Sequence, residues 1–261
     1  MSEERTFYFD RAVKKSATVG AKHYHNNFEL YYLKSGACNY FIDNRSFEVL
    51  PGDIILIPQG VIHRTIYDNT PYTRWLINCD ESFIPKSVLP HLPSMLYLYR
   101  NPAISDEVDL IMEKIHREYE SGDEHSPERL SSLTAELFIL LARNISQKAK
   151  VETANLTVER TVNYIKDNYM NDISLGEMAK LNAISPEHLS RTFKKETGFG
   201  FSEYLTLVRL QRAEYMLKNE PGRSISEVAY ACGFNDSNYF SGKFKKAYGI
   251  PPSNVKKQKE N

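Results

Sequence analysis

Residues 174–179 have the sequence Ser-Leu-Gly-Glu-Met-Ala, and Ser-Ile-Ser-Glu-Val-Ala follows fifty residues later at 224–229. A second pair, Phe-Lys-Lys-Glu-Thr-Gly at 193–198 and Phe-Lys-Lys-Ala-Tyr-Gly at 244–249, has an offset of fifty-one. The first block of each copy has a Ser-x-x-Glu pattern, in which the serine oxygen accepts a backbone N–H and the glutamate reaches back, so a helix is expected to start at each serine. The chain therefore contains an internal repeat, with one residue inserted between the two blocks.

Each copy predicts a short helix, a turn and a second helix, which is the helix-turn-helix pattern. The turns are predicted at 182–185 and 233–235, and Pro186 follows the first turn at a position that suits the start of a helix. A helical wheel separates an apolar from a polar face in each second helix. The polar faces are the predicted DNA-contacting surfaces. The alternative is a solvated face on an ordinary bundle, but two copies with matched caps, turns and lysine-rich ends favour DNA.

Composition limits the class of protein. The 261 residues, 41% of them hydrophobic and with 33 basic against 33 acidic side chains, suffice for a core in two domains and exclude a wholly disordered or collagen-like chain. The longest strongly apolar run, 137–142, is far shorter than the roughly 20 residues that cross a bilayer, and residues 1–10 do not resemble an export signal. Three isolated cysteines indicate neither a disulfide scaffold nor a zinc ribbon, so we expect a cytoplasmic protein without a membrane partner.

The zero net charge conceals a mild asymmetry. From Val151 onward the chain has 16 Lys and Arg against 13 Asp and Glu, an excess of three positive charges, and the remainder has an excess of three negative charges. This division fits a basic DNA-binding part joined to an acidic sensing part, although a difference of this size is weak evidence by itself.

Aromatic and β-branched runs separated by turn residues predict strands in the first third of the chain. The predicted strands are 28–33, 39–43, 47–50, 54–57, 61–67 and 73–78. Their number and spacing suggest an antiparallel sandwich or barrel. Apolar residues at steps of three and four then predict helices over 104–119 and 127–147, and the polar stretch 146–155 is the predicted linker to an all-helical domain.

A run of residues in and after the second repeat resembles a known signature. The residues are Ile225 to Ala229, Gly233-Phe234, Tyr239-Phe240, Phe244 to Lys246, Gly249 and Pro252. They resemble the AraC-type transcription regulators, and the resemblance covers residues 155–256, including a long joining helix expected over 202–218. It implies that both second helices enter successive major-groove segments of double-stranded DNA about 34 Å apart.

The resemblance also assigns roles to single residues. The family's base-contacting positions fall on Glu187, Arg191, Asn238 and Gly242. Gly242 departs from the family, since it has no side chain to reach a base and costs about 1 kcal/mol of helix stability relative to Ala. Base recognition is therefore expected to depend on Arg191, with the second repeat contributing phosphate contacts. The whole expected DNA-binding set is Glu187, His188, Arg191, Lys194, Asn238, Gly242, Lys243, Lys245 and Lys246.

Two motifs near the start resemble those of cupin barrels. They are His23-Tyr-His25-x-x-x-Glu29 with Gly36, and Gly52-x5-Pro58-x-Gly60-x2-His63, although Tyr67 stands where the second motif usually ends in Asn. In metal-dependent cupins the four matching side chains, His23, His25, Glu29 and His63, would bind a divalent transition metal. We expect no metal cofactor and favour a metal-free pocket for a small effector. A structural role, with the histidines only hydrogen-bonded inside the barrel, is the third interpretation.

The aromatic content favours the pocket. Ten of the 17 tyrosines lie before residue 120, and aromatic faces with a few polar groups suit a sugar or another small polar metabolite, although they also suit barrel packing. The segment Thr6 to Phe9 resembles an arm that folds over ligand in some members of the family, and an edge strand is the alternative. The expected effector-binding set is His23, His25, Glu29, Tyr31, His63 and Trp75.

These patterns predict an α+β protein: a cupin-like β-barrel over 1–100, a helical dimerisation segment over 101–150, and a double helix-turn-helix domain over 155–256. The predicted function is that of a DNA-binding transcription regulator responding to a small effector, not an enzyme. Expected partners are double-stranded DNA, the effector and a second copy of the chain, with RNA polymerase a further candidate. The rivals are a metal-dependent cupin enzyme with a helical appendage and a constitutive DNA-binding protein with a vestigial barrel.

Overall fold

The computed structural model describes residues 7–14, 27–43, 45–67, 70–92, 97–144, 155–220 and 222–257. The chain divides into an N-terminal domain, residues 1–152, and a C-terminal domain, residues 153–261. Within the described ranges, no helix combines the length and the apolar character that crossing a membrane requires.

The N-terminal domain is built on antiparallel strands. The described strands are β1 (Phe7–Lys14), β2 (Phe28–Ser35), β3 (Cys38–Ile42), β4 (Arg45–Val49), β5 (Ile54–Ile57), β6 (His63–Tyr67), β7 (Tyr72–Cys79) and β8 (Tyr97–Tyr99). They form a five-stranded sheet in the order β1-β7-β2-β5-β8 and a three-stranded sheet in the order β4-β3-β6. Residues of both sheets, among them Tyr31, Leu33, Tyr40 and Phe47, share one buried cluster. The predicted α+β fold is confirmed. The described strands form two sheets and not one continuous closed barrel.

Two helices cover the other face of the larger sheet. These are α1 (Ser105–Ser121) and α2 (Ser126–Arg143), so the helices predicted over 104–119 and 127–147 are present, and residues 145–147 lie outside the described ranges. Their apolar stripes, such as Val108 and Ile115 of α1, pack in one cluster with Leu30 and Trp75 of the sheet. The apolar stripes of the segment that was predicted to dimerise, 101–150, are therefore used for packing within the domain.

The C-terminal domain is helical throughout its described elements. They are α3 (Leu156–Asn168), α4 (Leu175–Leu181), α5 (Pro186–Thr197), α6 (Phe201–Asn219), α7 (Ile225–Ala231), α8 (Ser237–Tyr248) and α9 (Pro252–Lys257). The first repeat comprises α4, its turn and α5, and the second repeat comprises α7, its turn and α8. The helices α4 and α7 begin after Ser174 and Ser224, and both serines form complete capping boxes with the glutamate three residues on.

The turns of the two repeats share one backbone conformation. Ala183 and Gly233 hold positive φ angles of 54° and 81°, and the next residue, Ile184 or Phe234, donates its N–H to the carbonyl of Ala179 or Ala229 at 3.0 Å. The caps that follow are Ser185 and Asp236, so the offset rises from fifty to fifty-one between Phe234 and Asp236. Asn235 is therefore the inserted residue that the sequence comparison implied.

The joining helix α6 belongs to the cores of both repeats. Tyr204, near its start, makes edge-on ring contacts with Phe193 and Phe199 of the first repeat region. Leu210 and Leu217, further along, lie in the buried cluster of the second repeat with Phe240 and Phe244. A helix that is buried on several sides packs between two cores and not on the surface of one.

All three cysteines are buried free thiols. Cys38 and Cys79 lie in the N-terminal domain and Cys232 lies in the C-terminal domain. Burial is the main cause that raises the pKa of the Cys79 thiol to about 12 and that of Cys232 to about 11. Cys79 and Cys232 are therefore expected to be protonated at neutral pH, and burial shields all three thiols from reagents in the folded chain.

Candidate nucleic-acid interface and ligand cavity

The helix α5 presents a polar face away from its core. Its N-cap is Ser185, whose Oγ accepts the backbone N–H of His188 at 3.1 Å. Leu189 and Phe193 are fully buried, and this fixes the rotation of the helix. The predicted DNA-contacting residues of this helix, which are Glu187, His188, Arg191 and Lys194, are all exposed.

Glu187 and Arg191 interact on this face, one turn apart. The pKa of Glu187 is lowered by a hydrogen bond from its own backbone N–H, next by one from the Ser185 side chain, and also by the charge of Arg191. A carboxylate in the first turn also complements the helix dipole. Glu187 is thus ionised, and its charge and that of Arg191 attract each other on the exposed face of the helix.

The helix α8 repeats this arrangement with a different surface. Its N-cap is Asp236, which accepts the backbone N–H groups of Asn238 at 2.7 Å and Tyr239 at 2.8 Å. Phe240 and Phe244 are fully buried. Of the predicted DNA-contacting residues, Asn238, Gly242, Lys245 and Lys246 are exposed and Lys243 is half-buried. No atom lies within 4 Å of the point where a Cβ at 242 would sit, so the middle of this face is open.

Tyr239 is a surface residue that sequence reasoning did not select. It is 55% exposed, and the Lys243 ammonium lies 5.1 Å from its ring centroid. At the offset of fifty-one, Tyr239 matches His188 of the first repeat, and this alignment could have identified it. The cation–π contact holds the Lys243 charge near the start of α8.

The N-terminal domain contains a cavity of about 550 Å³ between its two sheets. Its lining is rich in hydroxyl and charged groups and includes Tyr8, Asp10, Lys14, Glu29, Tyr31, Tyr40, His63, Thr65, Tyr67, Tyr72, Arg74 and Asn78. A cavity of this size is in the range that holds a small molecule.

Three buried polar residues interact on one wall of the cavity. Tyr40 donates its hydroxyl to Oε1 of Glu29 at 2.5 Å, and Nε2 of His63 lies 3.6 Å from Oε2 of the same carboxylate. Nδ1 of His63 lies 2.7 Å from the carbonyl oxygen of Val61. Burial by itself would lower the pKa of His63, but the Glu29 carboxylate and these contacts outweigh it, so the pKa is raised. The imidazole therefore tends towards the charged form, which the carboxylate neutralises.

Aromatic rings and an ion pair form further parts of the lining. The rings of Tyr67 and Tyr72 stack with centroids 3.8 Å apart, and the Tyr31 hydroxyl donates to that of Tyr67 at 3.3 Å. Burial is the largest cause that raises the pKa of both Tyr31 and Tyr67, so these hydroxyls stay protonated. Nη2 of Arg74 lies 2.6 Å from Oδ2 of Asp10. The cavity thus offers ring faces together with hydrogen-bond donors and acceptors.

The structure brings together three of the predicted effector-binding residues, Glu29, Tyr31 and His63. The predictions for His23 and His25 lie outside the described residues. Trp75 requires a correction, because its fully buried side chain packs with Phe9 and Tyr32 in the cluster on the helix-covered face of the larger sheet. Its neighbours Arg74 and Leu76 line the cavity, so strand alternation turns Trp75 away from it.

The described residues do not include a group of three or more His, Cys, Asp and Glu side chains arranged to hold a metal ion. Two of the four ligands implied by the cupin motifs lie outside these residues, so the four-residue site is untested. The two that are described, Glu29 and His63, face one another.

Comparison with known proteins gives matches over both domains. A family described as a helix-turn-helix domain matches residues 178–258, and one described as an AraC-like ligand binding domain matches residues 14–138. The chain is 28% identical over 248 residues to the HTH-type transcriptional activator RhaS of Mannheimia succiniciproducens, covering 90% of this chain and 88% of the relative. It is 26% identical over 251 residues to the Msm operon regulatory protein of Streptococcus mutans, covering 90% and 86%.

A solved structure is similar to the helical part. The C-terminal domain of AraT, a response regulator from Geobacillus stearothermophilus, is 33% identical, and the match covers 39% of this chain and 84% of that one with a TM-score of 0.37.

Proposed function

This chain belongs to the AraC family of transcription regulators. From that premise we propose that it binds a specific double-stranded DNA sequence through α5 and α8. We also propose that it responds to a small neutral polyhydroxylated effector, such as a sugar, in the cavity of its N-terminal domain. The observation that supports the DNA-binding role is the pair of matched helix-turn-helix repeats whose second helices expose polar and basic faces. The cavity supports the effector role.

On DNA we assign different tasks to the two helices. Arg191 on α5 is the candidate for base recognition, because its guanidinium has the paired donors that match the acceptors of guanine. Lys245 and Lys246 on α8 are candidates for phosphate contacts, because an ammonium on a flexible stem binds phosphate without discriminating bases. Gly242 leaves room for close approach of the backbone to DNA.

The test of this role uses the full chain. Duplexes selected from a random pool should be bound with an affinity that falls steeply between about 50 and 200 mM salt, because phosphate contacts release counterions. Failure to enrich any sequence from the pool, together with no binding at low salt, would contradict the DNA-binding role.

The proposed effector class follows from the chemistry of the cavity. Sugar hydroxyl groups both donate and accept hydrogen bonds, and the lining supplies acceptors at Glu29 and Asp10 and donors at Arg74 and the tyrosines. The stacked Tyr67 and Tyr72 rings offer an apolar surface for the C–H face of a sugar ring. Glu29 and Asp10 lie beside His63 and Arg74, and Arg11 and Lys14 also line the cavity, so its charged groups are of both signs with a small basic excess. Sugar acids therefore belong in the test beside neutral sugars.

Thermal melting of the full chain with a panel of neutral sugars and sugar acids tests the effector role. A cognate neutral sugar at about a hundred times its Kd should add about 2.7 kcal/mol to the stability of the N-terminal domain. His63→Gln should weaken that ligand by roughly 1 kcal/mol, or about five-fold, through the hydrogen-bond wall of the cavity. Trp75→Phe is the matched control, since it changes a buried ring on the opposite face and should lower stability without shifting the dose response. A panel without any stabilising ligand would favour a constitutive DNA-binding protein.

Other parts of the predicted function remain proposals without a residue assignment. A homodimer is proposed, with RNA polymerase as a further candidate partner, but the apolar stripes of α1 and α2 are occupied within the domain. The relatives are transcription regulators, and we propose no catalytic activity. Action on chromosomal DNA implies a cytoplasmic location. Sedimentation at several concentrations tests the dimer.

A further inference from the structure

We propose that Arg209, which lies outside both recognition helices, is a positioning residue that fixes α5 and α8 relative to each other and so sets the spacing between the two DNA segments that the chain accepts. The inference rests on the DNA-binding role proposed above. It concerns a junction where α3, the joining helix α6 and the turn of the second repeat meet.

Arg209 ties the joining helix to the end of α3. Its Nε donates to the carbonyl oxygen of Tyr169, and its Nη2 donates to that of Asn171, both at 2.8 Å. These carbonyls follow the last residue of α3, where helix ends leave acceptors without a partner in the helix. The planar guanidinium has its donors in a rigid fork, so two such bonds fix direction as well as distance.

The same junction holds the turn of the second repeat. The Arg209 guanidinium carbon lies 5.9 Å from the ring centroid of Phe234. A Cβ at Gly233 would lie 2.8 Å from the carbonyl oxygens of Tyr169 and Met170 and 3.0 Å from Nε of Arg209. The turn therefore packs directly on the Tyr169 carbonyl that Arg209 binds and on the next carbonyl, that of Met170, at a distance that only a glycine permits.

The helix α3 also contacts the turn of the first repeat. The Asn182 side chain donates to Oγ1 of Thr161 on α3 at 3.4 Å and to the Met178 carbonyl at 2.8 Å. The helix α3 thus touches the first turn through Thr161, and the residues directly after its end, Tyr169 and Met170, touch the second turn. Because α8 begins at Ser237, just after Gly233 and Phe234, a displacement of the second turn would displace the start of α8.

The joining helix by itself constrains the position of α8 relative to α5 less than the Arg209 junction does. It is continuous from Phe201 to Asn219, and most of its buried side chains are apolar and can adjust by small rotations. Its hydrogen bond to the second repeat, from the Tyr248 hydroxyl of α8 to the Leu210 carbonyl at 3.1 Å, involves one rotatable side chain. The two charged hydrogen bonds of Arg209 and the close approach at Gly233 do not allow such adjustment without loss. Removing Arg209 should therefore loosen the second repeat relative to the first while each repeat keeps its own core.

The experiment measures spacing discrimination with the full chain. The probes are a duplex selected from a random pool by the wild-type chain, derivatives with one base pair inserted or removed between the two contacted segments, and a derivative in which only the first segment is intact. One base pair rotates and shifts the second segment by about 34° and 3.4 Å, so the wild-type chain should bind altered spacings at least about ten-fold more weakly.

Arg209→Ala should reduce that ten-fold discrimination to about two-fold, because a loosened second repeat can move to reach a displaced DNA segment. Binding to the original spacing then has to restrict this motion, which costs conformational entropy. Its affinity for the single-segment duplex should stay within about two-fold of the wild-type value, since the first repeat is unchanged. Arg209→Lys keeps the charge but not the fork, and intermediate discrimination is expected.

Val208→Ala is the matched control. Val208 is the neighbouring residue of α6, it is buried, and its apolar side chain has no hydrogen-bond donor for the carbonyls that Arg209 binds. This variant should lower the melting temperature and leave spacing discrimination unchanged. Gly233→Ala disrupts the junction from the opposite side, and it should reduce discrimination in the same direction as Arg209→Ala.

The outcomes separate the two proposals. Unchanged discrimination in folded Arg209→Ala would overturn the inference, and so would an equal loss on the two-segment and single-segment duplexes. If Arg209→Ala does not fold, unchanged discrimination in Arg209→Lys and Gly233→Ala overturns it equally. A wild-type chain that selects no duplex would contradict the DNA-binding role itself.

Discussion

In the first repeat the helix α5 exposes Arg191, whereas the matching position of α8 in the second repeat is Gly242, with open space around it. The interiors differ far less, because Phe193 and Phe244 occupy matching positions and are both fully buried. Packing of the core restricts what a buried position can hold, and an exposed position has no such restriction. The two repeats therefore share the packing of their cores, and we infer that their exposed faces have different roles on DNA.

The turns show a second difference between the repeats. Ala183 and Gly233 have the same left-handed backbone, although Ala183 carries a Cβ. The positive φ angle therefore does not by itself require glycine. At 233 the requirement comes from the carbonyls of Tyr169 and Met170, which lie where a side chain would begin.

The largest expected effect tests the shared scaffold. Phe193→Ala and Phe244→Ala should each lower the free energy of unfolding of the C-terminal domain by about 3–5 kcal/mol, because each removes a fully buried ring. Denaturant titration of the full chain, followed by a signal from the helical domain, measures both. A difference above about 2 kcal/mol between them would show that the two cores are not equivalent.

A smaller effect tests the division of work on DNA. Arg191→Ala should lose about 1–3 kcal/mol of binding to a selected site and relax the base preference at one position. Lys245→Ala should weaken specific and nonspecific duplexes alike and reduce the salt dependence. Gel shifts on both kinds of duplex measure this. Indistinguishable effects of the two substitutions would refute the assignment.

The third prediction concerns the position where the repeats differ most. Gly242→Ala should raise the free energy of unfolding by about 0.5–1 kcal/mol, because alanine is the better helix former and its Cβ meets no neighbouring atom. Arg191→Gly is the reciprocal change, and it should lower stability by about the same amount. Melting curves give both values. A destabilised Gly242→Ala variant would mean that the open face of α8 is occupied in the folded protein.

The smallest expected effect distinguishes the turns. Ala183→Gly relieves the left-handed strain of an alanine but increases the entropy of the unfolded chain, so stability should change by less than about 1 kcal/mol. Gly233→Ala serves as the contrast, and its loss should be clearly larger because a Cβ there meets two carbonyl oxygens. Equal effects in melting experiments would remove the distinction between the two turns.

Local patterns in the sequence predicted much of this fold. Helix starts after Ser174 and Ser224 are confirmed, because capping boxes are formed by residues three apart. The short strand β8 was missed among prolines, since a three-residue strand has no detectable period. The DNA-contacting residues remain predictions, at positions that the structure leaves exposed except for the half-buried Lys243.

The candidate cavity was less predictable. Glu29, Tyr31 and His63 line it, but the contacts of the lining, such as Tyr40 with Glu29 and Arg74 with Asp10, join different strands, and such pairing has no local signal. Trp75 was predicted to bind effector because the N-terminal part of the chain is rich in aromatic residues. The alternation along β7, where Arg74 and Leu76 line the cavity and Trp75 does not, could have excluded it. Arg209 shows the same limitation, because its hydrogen bonds join residues about forty positions apart.

The burial of the three thiols gives the protein built-in reporters of local opening. Cys38 and Cys79 can react with a thiol reagent only when the N-terminal domain opens, and Cys232 only when the helical domain does. Timed alkylation followed by mass spectrometry of the peptides would therefore follow the opening of each domain separately in one unlabelled sample. An effector that protects Cys38 and Cys79 while leaving Cys232 unchanged acts within the sensing domain. A change in the labelling rate of Cys232 on effector binding would be direct evidence that the signal crosses from one domain to the other.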